Sequence, residues 1–324
     1  MKPAILALLA TAAFAQQPTV ENGQLETQPY AGSLAAQLSR FGAGPFWAAY
    51  SEPAIPGQHN GCSGNRNGVT NDVTTIRLEG DPAVLILIRI EGGKVAQLRI
   101  ASPDCKLDAG GLRFLWIDKV PPAASIAWLK TQITADHPDR AISAIALQSG
   151  AAADQALNEL TAVTQPENIR SKTAFWLGTT RGAPGIVVLK HMLATDPSDK
   201  VREQVVFALS QSKDPQGLAT VFDTARNDKS AHVRGQALFW LAQKAGNKQA
   251  AEVIENAARS DPDRQVKERA VFALQQLPPD QGVPLLIDLA KSNSDPNVRK
   301  KAIFWLGQSK DPRALDFFAQ VLKP

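Results

Sequence analysis

The chain has 324 residues, long enough for two domains. It is 44% hydrophobic and 20% charged, a globular composition that excludes a wholly disordered protein. The formal net charge of +4 is small and spread along the chain, so neither nucleic acid nor an anionic membrane is indicated as the main partner.

Residues 1–15 read as a signal peptide. Lys2 gives a short positive start, residues 4–14 are apolar, and Ala13-Phe14-Ala15 fits the small-x-small cleavage pattern. Export to the periplasm or outside the cell is therefore expected, with Gln16 leading the mature chain. The apolar run is too short to span a bilayer. No cysteine lies beside the cleavage site, so no lipid anchor is expected.

Residues 16–44 are polar and predict a flexible leader with a short helix over 32–41. Residues 45–120 predict a small antiparallel β domain. Its strands are expected at 46–50, 74–78, 84–90, 95–102 and 112–117, and Glu91-Gly92-Gly93-Lys94 is a hairpin signal between two of them. Residues 57–72 read as a long loop. Cys62 and Cys105 are the only cysteines, and an even count in an exported chain favours a disulfide. Such a bond closes a loop of about 43 residues and stabilises a marginal core by roughly 3–4 kcal/mol. The competing reading makes Cys62 a catalytic thiol with His59 near it. Asp81, Asp104 and Asp108 flank strands as turn formers.

Residues 123–324 predict an all-α solenoid. Five copies of a short core recur, at Ile169-Arg170, Val201-Arg202, Val233-Arg234, Val266-Lys267 and Val298-Arg299, with offsets of 32, 32, 33 and 32 residues. Each is followed by an aromatic and a leucine, as in Phe175-Trp176-Leu177 or Phe207-Ala208-Leu209. A weaker sixth copy begins at Asp139-Arg140. Asp196-Pro197, Asp261-Pro262 and Asp295-Pro296 are expected to set turns and cap the next helix. Two helices per repeat and about six repeats make a solenoid, so the fold class is α+β by domain.

From Asp295 to Leu315 the pattern Asp-Pro-x-Val-Arg, then Ala, Leu-Gly and Asp-Pro-Arg-Ala-Leu, resembles the HEAT-like repeats of the phycobilisome-lyase type. The resemblance covers about residues 140–324. It implies a right-handed α-solenoid. It also implies that Arg140, Arg170, Arg202, Arg234 and Arg299 have a structural role, pairing with acidic or carbonyl groups between repeats, with Lys267 as a departure. Lyases with such repeats attach bilin pigments, and here the likeness lies in the repeat scaffold.

On a helical wheel the Val or Ile of each core, and the residues four and eight later, fall at roughly 0°, 40° and 80° and form the buried stripe. At the stripe's edge Trp176, Trp240 and Trp305 alternate with Ala146, Ala208 and Ala273, as a packing device. Phe175, Phe207, Phe239, Phe272 and Phe304 fall near 240°, opposite the stripe, and make a candidate aromatic ladder on the concave face. His191 and His232 are expected in solvent near repeat turns. No nucleophile elbow, phosphate loop or metal motif occurs, and no cofactor is expected. The sequence therefore points to a non-enzymatic binding or scaffold protein that holds a protein or peptide partner. The alternative is an enzyme or accessory protein, either lyase-like or dependent on the Cys62 thiol.

Overall fold

The computed structural model describes residues 17–42, 44–57, 62, 82–134, 138–244 and 248–322. The expected signal peptide, the expected strand at 74–78, His59 and Asp81 lie outside these residues. The chain divides into two compact units, one running to Leu157 and the other from Asn158.

The first unit is built on a five-stranded sheet of order β1-β5-β2-β3-β4. The strands are β1 (Val20–Pro29), β2 (Phe46–Pro53), β3 (Ala83–Glu91), β4 (Lys94–Ala101) and β5 (Leu107–Asp118). Helix α1 (Leu34–Phe41) follows β1, and α2 (Pro122–Thr131), α3 (Asp139–Leu147) and most of α4 (Ala151–Leu160) follow β5. Two expectations are corrected here. The leader is not a free coil, because Val20–Pro29 pairs in parallel with β5. The sheet is mixed rather than wholly antiparallel, because β5 also runs parallel to β2. Among the named strands, β2–β3 and β3–β4 are antiparallel. The Gly92-Gly93 turn joins the last pair with both residues at positive φ (56° and 71°), which glycine adopts without a Cβ clash.

Side chains alternate along β2, so its two faces bury different sets. One face contributes Ala49 to a core with Leu85, Leu87, Phe114, Trp116 and Cys105. Cys105 is bonded to Cys62 with a Cα–Cα distance of 5.3 Å. The other face carries Tyr50 and Glu52. The Tyr50 hydroxyl donates to Ser125 Oγ of α2 (3.0 Å), which donates to Gln148 Oε1 after α3 (3.1 Å). At the end of β2, Ala54 bridges Gln148, and Ser149 N–H donates to the Pro53 carbonyl (2.9 Å). These bonds tie α2 and α3 to the sheet, and the two units part within α4, between Leu157 and Asn158, rather than near residue 120. The weak repeat copy at Asp139-Arg140 lies in this first unit, and Arg140 is exposed.

The second unit is five helix pairs. They are α5 (Glu167–Thr180) with α6 (Gly182–Thr195), α7 (Asp199–Gln211) with α8 (Pro215–Asn227), and α9 (Ala231–Lys244) with α10 (Lys248–Ser260). Then come α11 (Arg264–Gln276) with α12 (Pro279–Ser292), and α13 (Pro296–Gln308) with α14 (Pro312–Val321). Ser198, Asp263 and Asp295 cap the first helices of their repeats through side-chain oxygens, and Asp214 and Asp311 cap second helices with Pro at the first helical position. Asp196 and Asp261 thus sit two residues before the true caps and have a different task. The second helix crosses the end of the first at touching distance. A Cβ on Gly185, Gly217 or Gly282 would lie 2.3, 2.6 or 2.3 Å from the carbonyl oxygen of Leu177, Leu209 or Leu274.

Glu52 is only 1% exposed, and neither carboxyl oxygen has a hydrogen-bond partner among the described residues. Burial pushes its pKa up from 4.5 to about 8. Its contribution to stability is therefore fully present below pH 4.5 and is lost as pH rises towards 8. Over that range the unfolded chain ionises and the folded one does not, at about 1.4 kcal/mol for each unit between the two values. Glu52→Gln should match the parent in denaturant midpoint near pH 4 and become progressively more stable than it up to pH 8. A constant difference across that range would show that Glu52 does not titrate this way.

Candidate binding surface

A stripe of apolar side chains is buried in each first helix, and in α5, α7 and α9 a cation is buried with it. Arg170, Arg202 and Arg234 are 4%, 0% and 9% exposed. A guanidinium tolerates burial only when its donors are all engaged, and the repeat junction engages them. Arg170 grips Asp196 with Nε and Nη2, at 2.7 and 3.0 Å. Arg234 grips Asp261 in the same fork, at 2.9 and 2.8 Å. That bond to Asp261 is the main cause holding the Arg234 pKa above its ordinary value. Arg202 reaches Asp228 with both donors at 3.4 Å and Asp199 at 2.7 Å.

Two of the junction acids are held from the other side too. The Asp196 carbonyl accepts from Arg202 and the Asp228 carbonyl from Arg234, both at 2.9 Å. Each carboxylate also closes a local turn, accepting from Ser198, Ser230 or Asp263 N–H. The result is a continuous line from Arg to Asp side chain, through the Asp backbone, to the next Arg. It changes once. Lys267 replaces the arginine, and the equivalent of the junction acid becomes Asn293, which is 5% exposed. Beyond that step Arg299 donates to the Asn293 and Ser294 carbonyls, at 2.7 and 3.0 Å.

The line holds neighbouring first helices in one register, and these pack against each other more closely than second helices do. The first-helix layer is thus the inner, tighter side of the array. On it the phenylalanines and tryptophans form one spine, not two separate series. Phe175 stacks on Phe207 with centroids 6.0 Å apart and planes 13° from parallel, and Phe239 stacks on Phe272 at 6.2 Å and 2°. Between these pairs Trp240 lies 4.8 Å from Phe207 and 5.1 Å from Phe239. Trp305 joins Phe272 (5.2 Å) to Phe304 (5.0 Å), and Trp176 abuts Phe175 (5.4 Å). Trp240 and Trp305 thus each pack on the phenylalanine of the preceding, alanine-bearing repeat. The rings are half-buried, except Phe304 at 53% exposed.

A row of amides runs beside the spine, absent from the sequence reading. Gln211, Gln243, Gln276 and Gln308 follow their phenylalanines by four residues, with the Thr179 hydroxyl at the equivalent place in α5, and Gln243 donates to Gln276 at 3.1 Å. The signal was available in the same 32- and 33-residue spacing. His232 is not simply solvated: its Nε2 lies 2.9 Å from Glu203 and its Nδ1 3.2 Å from Arg269, which links three repeats. His191 is exposed on α6. Asp108 accepts from Gly110 N–H and Asn22, which lowers its pKa. Both cysteines are consumed in the disulfide. Elsewhere, an open depression of about 690 Å³ lies between α6 and α8, lined by Lys190, Gln216, Asp223 and Lys229. A smaller cavity of about 290 Å³ beside the disulfide is lined by Trp47, Leu87, Arg99 and Phe114.

A family model described as HEAT repeats matches residues 186–261 and 251–324, so this stretch is made of HEAT repeats. No curated protein matches the chain in sequence. Among solved structures, Escherichia coli YibA is similar at 24% identity over 56% of this chain and 67% of its own, with a TM-score of 0.37. The CpcE–CpcF complex of phycocyanin lyase from Nostoc is similar at 21% identity over 57% of this chain and 99% of its own, with a TM-score of 0.32. Human deoxyhypusine hydroxylase follows at 16% identity over 63% and 91%, with a TM-score of 0.28.

The Lys267–Asn293 step gives a direct test of the line. Asn293→Asp alone should gain nothing or lose stability, because it buries a carboxylate without a fork to receive it. Combined with Lys267→Arg it should be more stable than the two single changes sum to, by about 1–3 kcal/mol in denaturant unfolding. Strict additivity would mean that the arginine and the junction acid do not act as a pair.

Proposed function

We propose that this is an exported, non-enzymatic binding protein whose solenoid holds a protein or peptide partner against its first-helix face. The observation that carries the reading is the unbroken line of eight aromatic rings from Trp176 to Phe304 on that inner layer. Half-buried rings at fixed spacing lose little conformational freedom on contact, and aromatic residues dominate the energetics of protein interfaces. The HEAT repeats of residues 186–324 support a recognition role. The disulfide weighs against thiol catalysis, since it leaves neither cysteine as a nucleophile.

Two measurements test the reading. A photo-crosslinking phenylalanine analogue at position 304 should capture a discrete partner in living cells. The same analogue at Val187 on α6, which is 67% exposed, should not, and Phe207→Ala should reduce capture at position 304. Equal capture from both positions would exclude the first-helix face. The mass of the protein recovered outside the cytoplasm should correspond to a chain starting at Gln16. An uncleaved chain retained inside the cell would refute export.

A further inference from the structure

The charges that border the spine point to the chemistry of its occupant. The first-helix residues on the same side as the phenylalanines include Lys172, Lys200, Arg269, Lys300 and Lys301. The carboxylates there are Glu203 and Glu268. Both are already engaged within the protein: Glu203 accepts from Gln236 and faces His232, and Glu268 takes the Arg264 guanidinium at 2.8 Å. With His232 counted neutral, this face carries a surplus of three positive charges on a chain whose net charge is +4. Lys200 and Lys300 are exposed and Lys301 is half-buried.

The rings supply the apolar part of the surface. Phe175 with Phe207, and Phe239 with Phe272, run near-parallel with centroids 6.0 and 6.2 Å apart. The strip they form is flanked by lysines and a row of side-chain amides. We infer that the segment held on this face is an acidic, apolar peptide, with aliphatic or aromatic side chains against the rings and carboxylates against Lys200, Arg269, Lys300 and Lys301. This inference rests on the binding role proposed above and adds the class of partner.

Fluorescence anisotropy of the mature chain with labelled peptides of about twelve residues tests it. The probes alternate Asp with Leu, Gln with Leu, Lys with Leu, and Asp with Ser, and a thymidine oligonucleotide of similar length stands for nucleic acid. The Asp–Leu peptide should bind at least tenfold tighter than every other probe and weaken as salt is raised from roughly 50 to 500 mM. Replacing Lys200, Lys300 and Lys301 together by Gln should cost the Asp–Leu peptide about tenfold and leave the Gln–Leu peptide unchanged. Phe304→Ala, at a ring already half in solvent, should weaken both. If Gln–Leu binds as tightly as Asp–Leu and still depends on Phe304, the acidic preference is overturned while the binding role stands. If no leucine peptide binds, or binding ignores Phe304, both readings fall. Preference for the oligonucleotide overturns the peptide assignment.

Discussion

The arginines buried at three successive repeat junctions, Arg170, Arg202 and Arg234, are the contacts on which the array depends. A solenoid has no long-range closure. Each repeat touches only its neighbours, so any freedom at one junction adds to the next. An apolar interface alone would leave helices free to slide, because burial is not directional. A guanidinium with its donors spread over a carboxylate fork and the preceding junction's carbonyl admits one arrangement. Arg170 and Arg234 meet those conditions within 3.0 Å. The acid holds both partners because its side chain faces one repeat and its carbonyl the next.

Everything on the inner face inherits its spacing from that registration. Phe–Phe stacking between successive repeats requires rotation and rise to repeat closely, and the two stacked pairs agree to 6.0 and 6.2 Å. The tryptophans fill the longer interval between pairs. The glycines at 185, 217 and 282 let the second helix cross the end of the first at touching distance. Apolar burial supplies the cohesion, and the junction polar groups with the crossing glycines fix which of many cohesive arrangements forms.

Much of this was legible in the sequence, for a physical reason. A repeat prints every structural requirement several times, so the core valines, the arginines and the ring positions announce themselves by period. The sequence reading faltered where a requirement occurs once or is carried by backbone. Val20–Pro29 has little apolar alternation because it is an exposed edge strand, held by its ladder to β5 rather than by side-chain burial. The parallel β2–β5 pairing depends on chain crossings that local propensity does not encode. That α2 and α3 belong with the sheet follows from three hydrogen bonds, at Tyr50, Ser125 and Ser149, each between ordinary residues. On the candidate surface, the phenylalanine positions were readable, but their union with the tryptophans was not, since the contacts of Trp240 with Phe207 and of Trp305 with Phe272 cross between repeats.

The alternation of tryptophan with alanine also constrains how such an array can change length. A tryptophan occupies the interval beside an alanine-bearing repeat, so the true period of the inner face is two repeats. Adding or removing one repeat would break phase, setting two tryptophans or two alanines side by side and crowding or opening the spine at that point. Adding or removing a pair would leave the phase intact. Length in this architecture is therefore a quantity with parity: the core tolerates any integer number of repeats, and the aromatic face tolerates steps of two.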